Sequence, residues 1–157
     1  MRKKPEINLR TRALQYLARR EYSRAELRGR LLAYAQAEDH PDQSQPVESL
    51  DTLLDDLTAR GWLSDERAAT QLIHAKRSRF GMRRITHELR QKGIAENLIG
   101  DALPQLEESE LEAAREVWER KFGTAPLDEK EKAKQVRFLR SRGFALEVIF
   151  KTLRHED

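Results

Sequence analysis

Residues 89–94 read LRQKGI, and nearly the same phrase occurs three more times in this 157-residue chain. The other copies are LARREY at 17–22, LTARGW at 57–62 and LRSRGF at 139–144. Glycine readily adopts the left-handed conformation that ends a helix, and a basic residue suits the negative end of the helix dipole. The phrase therefore predicts a helix C terminus at each copy. The first copy has Glu21 instead of glycine, which predicts a different corner there.

Apolar residues recur at helical spacing along most of the chain, and no segment alternates as a strand would. Four polar residues stand just before such patterns and can cap a helix N terminus: Asn8, Ser23, Ser64 and Ser109. Ser23 also opens the sequence SRAE, which has the spacing of a capping box in which Glu26 reaches back to the start of the helix. The patterns predict about nine helices joined by short connections.

Two segments carry predictions about where helices are interrupted. The polar stretch HPDQSQP at 40–46 predicts a loop, with Pro46 in the first turn of the third helix. Farther along, Leu98 and Leu103 predict a short sixth helix, and a separate seventh helix is expected to begin at Ser109.

A longer repeat underlies the second half of the chain. ERAATQLI at 66–73 and EAAREVW at 112–118 each place an Ala-Ala pair before an apolar pair, and Phe-Gly follows both. Internal repeats of about 40–45 residues are typical of stacked helical arrays. The prediction is an all-α fold, an elongated array of three tandem three-helix repeats. The predicted domains are a divergent first repeat at 1–61, a second repeat at 62–105 and a third at 106–157.

The composition limits the class of protein. Charged residues make up 36% of the chain and aromatic residues 6%, which suits a water-soluble helical protein. The absence of cysteine excludes disulfides, thiolate metal sites and cysteine nucleophiles. No apolar run approaches the roughly 20 residues that span a membrane, and no apolar segment follows the basic start MRKKPEINLR, as it would in a secretory signal. A cytoplasmic location is therefore expected.

The sequence contains no convincing catalytic or metal-binding motif. His87 and Glu88 begin like a zinc motif, but Gln91 occupies the position of the second histidine. Asp51 and Asp55 lie four residues apart and are interpreted as part of a solvated acidic helix face. We therefore predict no catalytic residue, no metal site and no cofactor, in a protein that is not an enzyme.

The densest basic stretch is KRSRFGMRRI at 76–85. Three of its cations end one predicted helix and two begin the next, where the helix dipole disfavours positive charge. Five cations at one corner repel one another unless an anion lies nearby, and guanidinium groups match phosphate or carboxylate oxygens. The basic residues farther along that helix extend the group, and two arginines on the second helix share a face. The candidate anion-binding residues are Lys76, Arg77, Arg79, Arg83, Arg84, Arg90, Lys92, Arg24 and Arg28.

Three aromatic residues have two interpretations each. Phe80 and Trp62 lie beside glycines at predicted helix corners and could stack on a nucleic acid base. An aromatic residue in that position usually packs on its own helix, so core packing is the favoured interpretation. The same holds for Trp118, which has apolar neighbours.

Four phrases, in order and covering nearly the whole chain, resemble the RecX family of small bacterial proteins that regulate the RecA recombinase. They are ALQYLARREYSRAELRGRLL at 13–32, LLDDLTARGWLSDERAA at 53–69, GMRRITHELRQKGI at 81–94 and RFLRSRGFALEVIFKTL at 137–153. The resemblance implies a modular fold of three three-helix repeats, in agreement with the repeat pattern.

The resemblance also implies a non-catalytic function in DNA repair and recombination. RecX proteins bind the RecA–DNA filament and inhibit its ATPase, its strand exchange and the co-protease function that triggers the SOS response. In some relatives the effect on recombination is positive. The implied partners are the RecA filament and the single-stranded DNA within it, with free DNA left open. A monomer with no membrane attachment is expected.

Two other classes of function stay open on the residues alone. SRAEL followed by RLL loosely resembles a helix-turn-helix, which would make the chain a general DNA-binding helical protein with steep salt dependence. The other is a helical scaffold that binds a different protein through its acidic segments, such as residues 101–131, which carry 10 acidic and 4 basic side chains.

Overall fold

The computed structural model describes residues 8–37 and 47–155, which form eight α-helices and no strand. The helices are α1 Leu9–Arg19, α2 Arg24–Ala37, α3 Val47–Ala59, α4 Asp65–Lys76, α5 Met82–Gln91, α6 Glu96–Lys121, α7 Glu129–Ser141 and α8 Leu146–Leu153. The predicted all-α class is confirmed. The predicted loop at 40–46, with Pro46, lies outside the described residues.

The chain divides into two compact units, Met1–Ala68 with Lys92–Ile94, and Ala69–Gln91 with Ala95–Asp157. In the first unit α2 packs against α1 and α3. Its buried core consists of Ala13, Tyr22, Leu27, Leu31, Leu50, Leu53, Leu54, Leu57 and Leu63. In the second unit α6 packs against α5, α7 and α8. One buried cluster there consists of Ala113, Ala114, Val117, Trp118, Leu139, Phe144, Ile149 and Leu153.

The predicted sixth and seventh helices form one continuous helix, α6, of 26 residues. Ser109 was expected to cap a new helix, but its Oγ donates within α6 to the carbonyl oxygens of Gln105 and Leu106, at 3.2 and 3.4 Å. A serine that bonds back to its own helix looks like a cap in sequence. Pro104 removes one backbone donor from the helix interior, and the helix continues because Leu106 and the apolar residues after it stay buried.

The other predicted helix starts are confirmed by hydrogen bonds. Asn8 Oδ1 accepts from the N–H of Thr11 at 2.8 Å, and Ser64 Oγ accepts from that of Arg67 at 3.1 Å. Ser23 Oγ likewise accepts from the N–H of Glu26 at 3.1 Å. The second half of the capping box is wrong, because the Glu26 carboxylate is engaged by basic side chains instead.

The recurring phrase ends helices as predicted. Gly61, Gly93 and Gly143 have φ values of +77°, +75° and +91°, a conformation that a side chain disfavours. The first copy does form a different corner, because Arg20 at the C-cap of α1 is extended, with φ of −164°.

The two tryptophans have different environments. Trp118 is buried, as predicted, and its Nε1 donates to Gln135 Oε1 at 2.9 Å inside the second unit. The core prediction for Trp62 is wrong, because its side chain is 47% exposed and lies under the guanidinium group of Arg60. An aromatic residue that directly follows a helix-ending glycine is therefore not necessarily buried.

The start of α5 lies directly against the end of α7. The N–H of Gly81 donates to the carbonyl oxygen of Arg142 at 2.8 Å, and the N–H of Arg83 donates to that of Gly143 at 3.3 Å. The two backbones approach so closely that a Cβ atom at Gly81 would collide with the carbonyl group of Gly143. Each helix end thereby supplies hydrogen-bond partners for backbone groups that the other helix end would leave unpaired.

A buried carboxylate in α6 serves two helix starts in the second unit. Glu110 is 6% exposed, and its Oε1 accepts a hydrogen bond from the N–H of Ala145 at 3.2 Å. The N–H of Met82, at the start of α5, also acts on this carboxylate and lowers its pKa. Burial raises the pKa of Glu110 above its ordinary value, and the two N–H donors offset only part of that rise.

The close contact between Gly81 and Gly143 predicts that alanine at Gly81 destabilises the fold, whereas alanine at a glycine without such a contact does not. Gly81→Ala should destabilise the fold by about 1–3 kcal/mol, because its methyl group meets backbone that cannot rotate away. Gly100→Ala in α6 is the matched control, because nothing lies within 4 Å of its added Cβ. It should stabilise the helix by roughly 0.5–1 kcal/mol. Urea denaturation measures both, and an unchanged midpoint for Gly81→Ala would contradict the described contact.

The raised pKa of Glu110 predicts a pH-dependent part of stability with a definite sign. The folded state holds this proton more tightly, so stability falls as pH rises from the unfolded-state pKa, about 4, through the higher folded pKa. Glu110→Gln removes that fall, so its free energy of unfolding should improve relative to the unaltered chain across this range. Urea denaturation over a pH series measures the difference. Glu116→Gln, at an exposed position of the same helix, controls for the lost charge. A flat difference for Glu110→Gln would refute the assigned cause.

Candidate functional site

The ring of Phe80 lies at the centre of a cationic group in the second unit. The charged groups of Arg84, Lys76, Arg142 and Arg79 lie 4.1, 5.1, 5.2 and 5.7 Å from the ring centroid. The face of an aromatic ring attracts cations, which offsets part of the repulsion among them. The core prediction for Phe80 is therefore wrong: the ring is half-buried, belongs to neither core cluster and is covered by cations.

One of these cations, Arg84, also lines an open depression of about 530 Å³. The depression is lined by Arg83, Arg84 and His87 of α5 and by Arg140, Ser141 and Gly143 at the end of α7. We define the basic corner as the surface formed by Lys76, Arg79, Arg83, Arg84, Arg140 and Arg142. It combines four cations of the predicted basic stretch with two arginines, Arg140 and Arg142, from a distant part of the chain.

The two helix ends determine how Arg84 is placed. The carbonyl groups of Arg142 and Gly143, just after α7, accept the N–H groups of Gly81 and Arg83. This contact also brings the negative end of α7 close to the guanidinium group. Arg84 Nη1 lies 3.5 Å from the carbonyl oxygen of Ser141, a long hydrogen bond. Arg84 lies in the first turn of α5, as predicted, and the nearby C terminus of α7 offsets the unfavourable dipole there.

Carboxylates offset little of the charge on the basic corner. Glu88 lies 3.8 Å from Lys76 Nζ and 3.7 Å from Arg84 Nε, both near the limit for an ion pair. Within residues 8–37 and 47–155, four other cations of the corner form no ion pair: Arg79, Arg83, Arg140 and Arg142. Arg83 and Arg140 are exposed, so their guanidinium groups are available to an anion.

Two predicted residues of the second unit lie apart from this group. Arg77 is half-buried at the end of α4, and within the described part of the chain no ion pair joins it to a carboxylate. Arg90 holds Glu96 through two hydrogen bonds, at 2.7 and 3.3 Å. These hydrogen bonds lower the pKa of Glu96 and raise the pKa of Arg90. Arg90 is therefore already engaged in an ion pair within the chain.

The predicted cations of the first unit are all paired with carboxylates. The pairs are Arg24 with Asp55 at 2.7 Å, Arg28 with Asp51 at 3.2 Å and Lys92 with Glu26 at 3.1 Å. Burial alone would raise the pKa of Glu26, but hydrogen bonds from Arg20 and Lys92 outweigh burial and lower it. A binding role for these residues stays a prediction, and an anion there would compete with carboxylates already in place.

Arg140, Arg142 and His87 were missed as members of a site. The phrase LRSRGF contained both arginines, but it was interpreted only as a helix C terminus. Its placement beside residues 81–84 depends on which helix ends meet, and no periodicity or capping signal in the sequence specifies that.

The described part of the chain offers no side-chain cluster for a metal ion and no helix for a membrane span. Among these residues, no group of three or more His, Asp or Glu side chains lies in a position to hold a metal ion. None of the described helices is long and apolar enough to cross a membrane.

Comparisons with known proteins point to one family. Residues 64–103 match the family model for the second three-helix domain of RecX, and residues 107–153 match that for the third. The chain is 45% identical to the regulatory protein RecX of Leptothrix cholodnii over 98% of its own length and 92% of that protein. It is 40% identical to the regulatory protein RecX of Ralstonia nicotianae, over 96% and 89%.

A solved structure shows the same fold. The crystal structure of RecX from Lactobacillus salivarius matches with a TM-score of 0.69, covering 94% of this chain and 93% of that chain. The two sequences are 18% identical, so this likeness concerns the fold alone.

Proposed function

The chain belongs to the RecX family of regulatory proteins, and from this premise we propose that it regulates a RecA recombinase by binding the RecA–DNA filament. The proposed effect is inhibition of the filament's ATPase, its strand exchange and its co-protease activity, and hence of DNA recombination and the SOS response. Relatives named as regulatory proteins support a role other than catalysis, in agreement with the predicted absence of an enzyme site.

The basic corner is the observation that carries this proposal. It presents exposed arginines without carboxylate partners in the described part of the chain, on a surface built from two helix ends. The filament groove offers DNA phosphates and an acidic protein surface, and guanidinium groups match both. By contrast, Arg90 and the basic residues of the first unit are occupied by carboxylates, which makes them weaker candidates for filament contact.

The proposed mechanism is non-catalytic. The helical array lies in the filament groove with its basic corner toward the DNA phosphates. It blocks strand exchange by bridging neighbouring protomers or by displacing a DNA-binding loop of the recombinase. Neither step requires a cofactor or metal, because the binding energy comes from electrostatic and surface contacts alone.

The remaining features of the proposal concern organisation. We propose that three repeats occupy residues 1–61, 62–105 and 106–157, and the residues matched by the two family models support the second and third. We further propose that the chain acts as a monomer in the cytoplasm, where the recombinase and DNA are found.

General DNA binding is the second candidate function. The unpaired arginines of the basic corner favour it, because non-specific DNA binding is supplied almost wholly by contacts between cations and phosphates. It predicts binding to free DNA that is as tight as binding to the filament. A helical scaffold for another partner would leave both DNA and recombinase unaffected.

Titration of the DNA-dependent ATPase of the host's own RecA recombinase tests the proposed function. Inhibition at well below one copy of this protein per recombinase protomer would support filament binding, since each bound copy then affects many protomers. An unchanged ATPase rate and an unchanged filament lifetime would refute it.

Charge reversal at the start of α5 should weaken filament binding. The double substitution Arg83→Glu with Arg84→Glu is expected to reduce affinity for the RecA–DNA filament roughly tenfold or more, because two attractive contacts become repulsive. Sedimentation of filaments with the bound protein measures this. Lys130→Glu with Lys134→Glu is the matched control, since both lysines are exposed on α7 outside the basic corner and the charge change is the same.

A folding defect must be separated from a binding defect in that experiment, because Arg84 contacts Phe80 and the end of α7. Circular dichroism and a thermal melt identify a variant that fails to fold. Arg83→Glu alone then replaces the double variant, since Arg83 forms no ion pair within the described residues. Wild-type affinity in a folded variant would contradict the assignment of this surface.

A further inference from the structure

The depression beside α5 and α7 has a lining that suits one kind of ligand. Among its six lining residues, three are arginines, one is a histidine and none is acidic or a large apolar residue. Arg83 and Arg84 come from the first turn of α5, whereas Arg140 comes from the last turn of α7. The cations therefore converge on the same space from two helices.

Two backbone donors beside the depression are already in use. The N–H groups of Gly81 and Arg83 donate to the carbonyl oxygens of Arg142 and Gly143, and Ser141 Oγ donates to that of Phe138 at 2.6 Å. A ligand in the depression is therefore held mainly by side-chain cations. Guanidinium groups supply paired donors that fit the oxygens of a phosphate group.

The lining favours nucleic acid over a protein partner. Protein interfaces are built around a buried apolar core, and the depression has no apolar side chain to contribute one. The nearest aromatic ring, Phe80, is already covered by cations, with Arg84 at 4.1 Å. Interfaces with nucleic acid are more polar and far more positively charged, which is the character of this surface.

We propose that the depression binds a phosphodiester group of a nucleic acid strand, held between Arg83 on α5 and Arg140 on α7. Arg84 adds positive charge at the same place but is fixed by Phe80 and the end of α7. The inference rests on the proposed function, because it names which part of the RecA–DNA filament the basic corner contacts. It adds Arg140, which lies far from the basic stretch in sequence, as a phosphate-binding residue.

Binding of the full chain to a labelled oligothymidylate of about 20 nucleotides, without recombinase, tests this site. Fluorescence anisotropy at salt concentrations between about 50 and 200 mM gives the slope of log affinity against log salt. Arg140→Gln and Arg83→Gln should each weaken binding and reduce the magnitude of that slope by about 0.7, the contribution of one phosphate contact to a single strand.

Lys134→Gln is the matched control. It removes one charge from the same helix, six residues before Arg140 and therefore about 120° away around the helix axis. The salt slope of this variant should stay closer to that of the unaltered chain. A slope for folded Arg140→Gln that equals the slope of the unaltered chain overturns the phosphate site. Competition with polyglutamate is a second way to overturn it. If polyglutamate competes as strongly as unlabelled oligothymidylate, and this competition is lost in Arg140→Gln, the site recognises carboxylates and not phosphates.

The recombinase ATPase titration, repeated with Arg140→Gln, separates this inference from the proposed function. A reduced salt slope with full ATPase inhibition supports the phosphate site and places filament regulation on another surface. Lost inhibition with an unchanged slope supports filament regulation and overturns the phosphate site.

Discussion

The contact between the end of α7 and the start of α5 is the constraint on which the candidate site depends. Left alone, the last carbonyl groups of α7 and the first N–H groups of α5 would lack partners. Hydrogen bonds of 2.8 and 3.3 Å join the two helix ends and satisfy both. The approach requires glycine on each side, because a side chain at Gly81 or Gly143 would collide with the opposite backbone. The packing of the two helix ends, their hydrogen bonds and the placement of the nearby cations therefore all depend on this contact.

The same contact decides which cations are available for binding. Residue type does not distinguish an arginine in structural use from one that can bind a ligand, whereas the distance to a carboxylate does. Arg90 has Glu96 at 2.7 Å, so an anion at Arg90 would compete with a carboxylate already in place. Arg83 forms no ion pair among the described residues. The contact between the end of α7 and the start of α5 brings it to the same depression as Arg140. Positive charge thus accumulates where two helix ends meet.

Predictions from sequence succeeded where a polar group had one available partner nearby and failed where a second partner competed for the same group. Asn8 and Ser64 cap their helices because the accepting oxygen and the donor lie three residues apart. Ser109 resembled a cap, but its hydroxyl group had a carbonyl within the same helix to bond. The expected reach of Glu26 to the start of its helix was replaced by ion pairs with basic side chains, one of them Lys92, 66 residues away.

The all-α class, most helix ends and the family resemblance follow from the sequence alone, because periodicity, caps and repeated phrases are encoded within a few residues of one another. The cations from Lys76 to Arg84 are likewise visible in the sequence. That Arg140 and Arg142 join them, and that four cations surround the ring of Phe80, is seen only in the folded chain. The reason is physical: Arg84 and Ser141 are 57 residues apart in the chain, and their proximity follows from which helix ends satisfy each other's free backbone groups.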